Sequence, residues 1–307
     1  MTTTIISAPA PEDDGGDDAK NLPGYKILGP EGRGGMATVY RALQHSLNRI
    51  VALRTVREGM SAESSAPMLR QEAAILARVQ HPHVNSILDC FEHRGQTYLV
   101  LEYIAGGNLA TRIKGNQQPV LAAAELVEHL ARTVAHIHRC GIIHGNLKPQ
   151  KILLAKVPLA APSDLPEPMN CEVVYGIPLI SGFELALDRR LQGELKEGEI
   201  RGTPKYMAPE QASGCRESIG PATDIYALGG ILFELLAGRP VFEAATVHEL
   251  LQKKIHSEPE PLRNLNSTVH PRLEAICQKC LQRETADRYA DALDLAHALR
   301  VFAESYL

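Results

Sequence analysis

The sequence predicts an α+β fold in which a strand-rich amino-terminal part precedes a mainly helical part. One observation is the run of short apolar, β-branched stretches around 38–42, 49–56, 87–91 and 98–103, interrupted by a single helix-period stretch over 66–79. The second is that, after Gly106-Gly107, helical periodicity takes over at 121–140, 223–237, 247–256, 271–281 and 290–303. Both parts fit a chain of 307 residues with 44% hydrophobic content, enough to bury a substantial core.

The opening stretch, MTTTIISAPAPEDDGGDDAKNLPG, is rich in Thr, Pro, Gly and Asp and has no sustained periodicity. Residues 1–24 therefore read as a disordered, solvated leader, with an acidic interaction tail as the alternative. Order is expected from Tyr25, with the strand-rich part at 25–105 and the helical part at 106–307. The helix over 66–79 stops before His81-Pro82, and the helical regions leave nothing over for a further domain.

A net charge of −4 gives no broad electrostatic footprint, so nucleic acid is not expected as a partner. The six cysteines are dispersed and the start lacks a basic-then-apolar signal, which points to reduced thiols and a cytoplasmic location. No apolar stretch approaches the roughly 18 residues of a membrane span.

The motifs carry more. Gly32-Arg-Gly-Gly-Met-Ala-Thr-Val39 is followed by Val51-Ala-Leu-Arg54, then Glu72 within RQEAAILARVQHP, and His144-Gly-Asn-Leu-Lys-Pro-Gln-Lys-Ile-Leu-Leu154. Ser181-Gly-Phe-Glu-Leu-Ala186, Gly202-Thr-Pro-Lys-Tyr-Met-Ala-Pro-Glu210, Asp224-Ile-Tyr-Ala-Leu-Gly and a late Arg288 complete the series. In order and spacing this resembles the bacterial Hanks-type serine/threonine protein kinase family, over nearly all of 25–307. The resemblance implies a bilobal protein-kinase-like fold, with an N-lobe at 25–105 and a C-lobe at 106–307.

The same alignment marks the chain as a degenerate member. The loop aspartate that accepts the substrate proton is matched by Asn146, and the asparagine that holds a magnesium ion by Lys151. The metal-binding Asp of Asp-Phe-Gly is matched by Gly182 when Phe183 takes the motif Phe, or by Ser181 after a shift of one; Glu184 then stands at the motif glycine. A positioned base contributes about 10²–10⁴-fold, and metal coordination several kcal/mol more. No intact catalytic set and no metal site are therefore expected.

The resemblance also implies a nucleotide site. Gly32, Gly34 and Ala37 match the glycine loop, with Ala37 at its third glycine. Val39, Ala52 and Leu153 match the adenine walls, and Glu102 and Ile104 the hinge. Arg54, Glu72 and Lys148 match the charged groups. Arg54 keeps the charge of the usual lysine and can pair bidentately with Glu72, but its planar fork does not replace a compact ammonium on phosphate. Leu76, Leu88, His144 and Phe183 match the apolar stack joining the lobes, anchored by Asp224. Arg54, Glu72, Asn146, Lys148, Lys151 and Gly182 sum to +2, against −1 in an ordinary kinase, so any ATP is expected to bind without magnesium. The alternative is a slot closed by its own apolar walls.

Regulation by activation-loop phosphorylation is not expected, because 187–202 holds no Ser, Thr or Tyr and the loop arginine is replaced by Gly145. An insertion over 155–178 reads either as a partner-binding loop or as an inert surface excursion. Cys277 and Cys280 read as core thiols, His81, His83, His136 and His138 are not assigned to metal, and Leu250, Leu251 and Ile255 form either an apolar docking face or core. The functional expectation is a pseudokinase that acts as a scaffold or allosteric regulator with a protein partner. A weak or unconventional phosphotransferase dependent on Lys148 and a metal-independent nucleotide or anion sensor are the rivals.

Overall fold

The computed structural model describes residues 22–33, 37–56, 62–156, 170–190, 198 and 200–306. The amino-terminal part is an antiparallel sheet of β1 (Tyr25–Arg33), β2 (Ala37–Gln44), β3 (Arg49–Val56), β4 (Ile87–His93) and β5 (Gln96–Glu102), in the order β1-β2-β3-β5-β4. One helix, α1 (Ala62–Arg78), packs on it. The β4–β5 hairpin turns through Arg94 and Gly95, both at positive φ, the geometry that matches the twist of the flanking strands.

Alternation along the strands separates two clusters. Val51, Leu53, Tyr98 and Val100 face outward onto Leu22 and Tyr25, where Tyr25, Phe91 and Tyr98 stack with centroids 5.4 Å apart. Ala52, Leu99 and Leu101 face the other way, into the main core with Leu69, Ala73 and Leu76 of α1. The same alternation puts Arg54 on the inner face beside Ala52. The expected leader, 1–24, overlaps this packing: Leu22 is 4% exposed and its carbonyl accepts the Tyr25 N–H at 3.0 Å. Residues 1–21 lie outside the described residues.

Leu88 is a correction. It packs in the outer cluster, while Ile87 faces the main core, so Ile87 takes the place in the inter-lobe stack. The cause is an irregularity between Ile87 and Asp89, which shifts the β4 pairing by one residue.

The helical part is built on α3 (Val120–Arg139) after a short α2 (Leu109–Ile113). Two small antiparallel pairs follow: β6 (Ile142–Ile143) with a later β9 (Leu187–Asp188), and β7 (Ile152–Ala155) with β8 (Ile177–Ile180). Between β7 and β8 lies α4 (Asn170–Tyr175). Cys171 and Tyr175 of α4 are buried, and the Cys171 N–H donates to Glu125 of α3 at 2.9 Å. The carboxyl end of the 155–178 insertion is therefore packed structure; 157–169 lie outside the described residues.

Then come α5 (Pro209–Ala212), α6 (Pro221–Ala237), α7 (Val247–His256), α8 (Leu262–Leu265), α9 (Pro271–Cys280) and α10 (Ala292–Tyr306). Helix α6 is apolar nearly all round and correspondingly buried, starting at Pro221 and ending at Gly238. Gly238 has φ +76, and a Cβ there would press on the Gly115 carbonyl. No helix among the described residues is long and apolar enough to cross a membrane. All six cysteines are unpaired, with Cys277 and Cys280 buried in α9.

Candidate functional site

The candidate site is the cleft between sheet and helices, and its floor is set by Asp224 in the first turn of α6. Fully buried, this carboxylate accepts the Gly145 N–H at 2.8 Å, the His144 N–H at 2.9 Å and the His138 Nε2–H at 2.8 Å. Three donors on one carboxylate fix the loop that carries the next residues. His144 donates from Nε2 to the Ser181 carbonyl at 3.1 Å while its Nδ1 accepts the Asn146 N–H, which makes it a neutral imidazole. Burial pushes it further from protonation. Its ring meets Phe183 edge-on at 4.8 Å, the contact expected if Phe183 takes the motif Phe and Gly182 the place before it.

Four charged side chains meet in the cleft. Arg54 donates to Glu72 at 2.5 Å, and both are buried; the pair is single rather than the bidentate one expected, because the other end of the guanidinium turns to Glu184. Arg54 also reaches Glu184 at 3.2 Å, and Lys151 Nζ donates to the other oxygen of Glu184 at 2.5 Å. Burial alone would push the Glu184 carboxyl up; the Lys151 ammonium and then the Arg54 guanidinium outweigh it and hold it at about 2. Motif reading placed Glu184 at the motif glycine but left its charge out of the cleft. Its charge reduces the expected cleft sum from +2 to +1, and Lys151 is neither free in the cleft nor turned to solvent.

Lys151 and Gly182 fit one another. Gly182 has φ +80, and a Cβ on it would overlap the Cδ, Cε and Nζ of Lys151. The lysine side chain thus fills the space from which a motif carboxylate would hang. Magnesium does not fit these residues: one of its places is a glycine without side chain and the other an ammonium that repels a dication.

Beside this cluster runs a second chain of contacts. Lys148 Nζ donates to Thr203 Oγ1 at 2.5 Å, and Thr203 donates to Asn146 Oδ1 at 3.0 Å. Burial and then the Lys151 charge push the Lys148 ammonium down. Asn146 is 8% exposed and is held as an acceptor, but an amide does not take up a proton as a carboxylate does. Thr203 lay within a quoted motif without an assigned part; its place here follows from the turn Thr203–Tyr206, closed by a 2.9 Å backbone bond.

Of the residues that the resemblance assigns to a nucleotide site, Ala37 and Ala52 are buried, Val39 packs on the main core, Leu153 and Ile104 are half-buried, and Gly32 and Glu102 are exposed. The Glu102 N–H is taken by the Ser86 carbonyl at 2.9 Å. Gly34 lies outside the described residues.

Comparison with known proteins agrees with this geometry. Residues 25–301 match the family model for the protein kinase domain. Serine/threonine-protein kinase pkn2 of Myxococcus xanthus is 29% identical over 278 residues, covering 90% of this chain and 32% of the relative. PkaA of Streptomyces coelicolor is 30% identical over 294 residues, covering 91% and 50%, and PrkC of Bacillus subtilis 30% over 277, covering 88% and 39%. The chain spans about a third to a half of the length of these curated relatives. With the lobes, the Asp224 anchor and the Arg54–Glu72 pair in place, the chain belongs to the protein kinase family.

Proposed function

We propose that this protein is a catalytically impaired serine/threonine kinase-like domain, a pseudokinase that acts as a scaffold or allosteric regulator of a protein partner. The observation that carries this reading is the place of Lys151. Its ammonium lies over Gly182 and is paired with Glu184, so cationic and apolar atoms fill the space where two metal ligands would converge. The base position, Asn146, has no proton affinity suited to activating a hydroxyl. Losses of this kind do not simply add, but together they take phosphoryl transfer toward background. The retained Asp224 anchor, the neutral His144 and the Arg54–Glu72 pair support a scaffold that keeps an active-like arrangement without the chemistry. Any ATP that binds, in this reading, does so without magnesium.

The alternative, a weak or unconventional ATP-dependent kinase, draws support from one feature, the Lys148–Thr203–Asn146 chain. Labelled ATP with magnesium separates the two. The pseudokinase reading expects no phosphate on the protein or on generic substrates above buffer background. Steady, stoichiometric incorporation that is lost on Lys148→Ala would overturn it. Restoring Arg54→Lys, Asn146→Asp, Lys151→Asn and Gly182→Asp together should return measurable transfer once Glu184→Gly is added. A folded variant of that kind that binds magnesium nucleotide and still transfers nothing would place the defect elsewhere.

A further inference from the structure

Three of the cleft's departures from an ordinary kinase depend on one another. The Lys151 side chain occupies space that only a glycine at 182 leaves open, and its charge is answered by Glu184, which stands at a place the family gives to glycine. The result is a compact cluster of two cations, Arg54 and Lys151, and two anions, Glu72 and Glu184. The four side chains are 9%, 19%, 1% and 15% exposed. Glu72 is already committed to Arg54 from within the N-lobe. Glu184 is different, since it bridges both cations and projects from the segment after Phe183.

We infer that Glu184 is a built-in competitor for the phosphate place: its carboxylate occupies the cationic site formed by Arg54 and Lys151, and a metal-free polyphosphate must displace it to bind. The proposal rests on the impaired-kinase reading, in which no magnesium mediates the contact. A carboxylate and a terminal phosphate present the same feature to these donors, oxygens bearing negative charge at hydrogen-bond distance. At 2.5 Å from Lys151 and 3.2 Å from Arg54, the carboxylate uses the directions a phosphate oxygen would need. Its low proton affinity, with burial outweighed by the two cations, keeps it charged throughout the neutral range. Like charge therefore opposes any incoming anion until Glu184 moves. The residue determines ligand choice: it disfavours the bare polyphosphate that the cations alone would attract.

The test uses the full chain, with ATP and inorganic tripolyphosphate as probes in chelator and adenosine as the uncharged control, followed by calorimetric titration and thermal shift. Glu184→Gln, which keeps shape and removes charge, should lower the unliganded melting temperature yet tighten both polyphosphates by about tenfold or more. Adenosine should bind the variant as it binds the unaltered chain. Glu184→Gly provides a second variant should the glutamine fail to fold. A purely structural role for Glu184 would lower stability without tightening the anions. Polyphosphate affinity no tighter in either variant than in the unaltered chain, including no binding at all, would overturn the proposal. Steady phosphotransfer by the unaltered chain in magnesium would overturn the impaired-kinase reading instead, a result obtained with different reagents and read independently.

Discussion

Lys254 is a single residue on which burial and charge conflict. It is 2% exposed on α7, its ammonium finds no hydrogen-bond acceptor among the described residues, and it lies 5.3 Å from the Tyr226 ring centroid and 5.6 Å from that of Phe242. Burial pushes it down to about 7. The unfolded chain then holds more protons than the folded one between about 7 and 10.5, so stability should rise with pH across that window, and the full cost is felt below it. Contact with two aromatic faces, about 0.5–2 kcal/mol each at most, offsets part of that cost. Lys254→Met, which keeps the length of the side chain, should therefore stabilise the protein by about 1–3 kcal/mol at pH 7 and flatten the rise toward pH 10. Urea unfolding at both pH values reads this, and a less stable variant at pH 7 would show that the ammonium has a partner. Nothing in the sequence marked Lys254, because burial of a lysine on an amphipathic helix depends on what packs opposite. Asn146, Lys151 and Gly182 were legible because motifs have fixed positions. The role of Glu184 was not, since motif comparison registers a lost glycine more readily than a gained charge, and its partners come from β3 and the loop before β7.

At the level of elements, the ion pair between Glu210 of α5 and Arg288, just before α10, ties two distant stretches of the C-lobe. Both guanidinium ends meet the carboxylate at 2.8 Å, and the remaining N–H groups donate to the carbonyls of Ala222, Gln282 and Arg283. With the Arg288 side chain fully buried, Arg288→Ala leaves a carboxylate without its counter-charge and should cost about 3–5 kcal/mol. A melting temperature unchanged within noise would show the pair to be dispensable. Both partners stand at motif positions that the sequence displays. Legible too were the long helices α1, α3, α6, α7, α9 and α10, since their periodicity is sustained over many residues, and β3, whose apolar run follows the polar turn 45–48. The β1 strand was harder to see: YKILGPEGR breaks alternation with Gly and Pro, and its pairing with β2 is itself interrupted twice. The irregularity in β4 was likewise invisible, because it is a property of pairing with β5, and it moved the stack residue from Leu88 to Ile87. Helix α4 escaped the sequence reading for a third reason. At six residues it is too short for a period, and it is held by Glu125 of α3.

Across the whole molecule, the cleft cluster joins parts that are far apart in sequence: β3 through Arg54, α1 through Glu72, the catalytic-loop turn through Lys151 and the following segment through Glu184. Such a bridge draws the lobes together through the protein's own charges, so its strength should follow the ionisation of Glu184. With this carboxyl held at about 2 in the folded chain against an ordinary value of 4.5, its contribution is present in full above 4.5. It is lost progressively as pH falls toward 2, because only the unfolded chain takes up the proton readily in that interval. The difference corresponds to about 3 kcal/mol. Other carboxylates titrate in the same range, and comparing the unaltered chain with Glu184→Gln cancels their effect. The variant should be the less stable protein at pH 6, and the gap should narrow steadily as urea unfolding is repeated at pH 5, 4 and 3. A gap that stays constant down to pH 3 would mean that the Glu184 charge does not help hold the lobes, and that the Arg54–Glu72 pair does so alone.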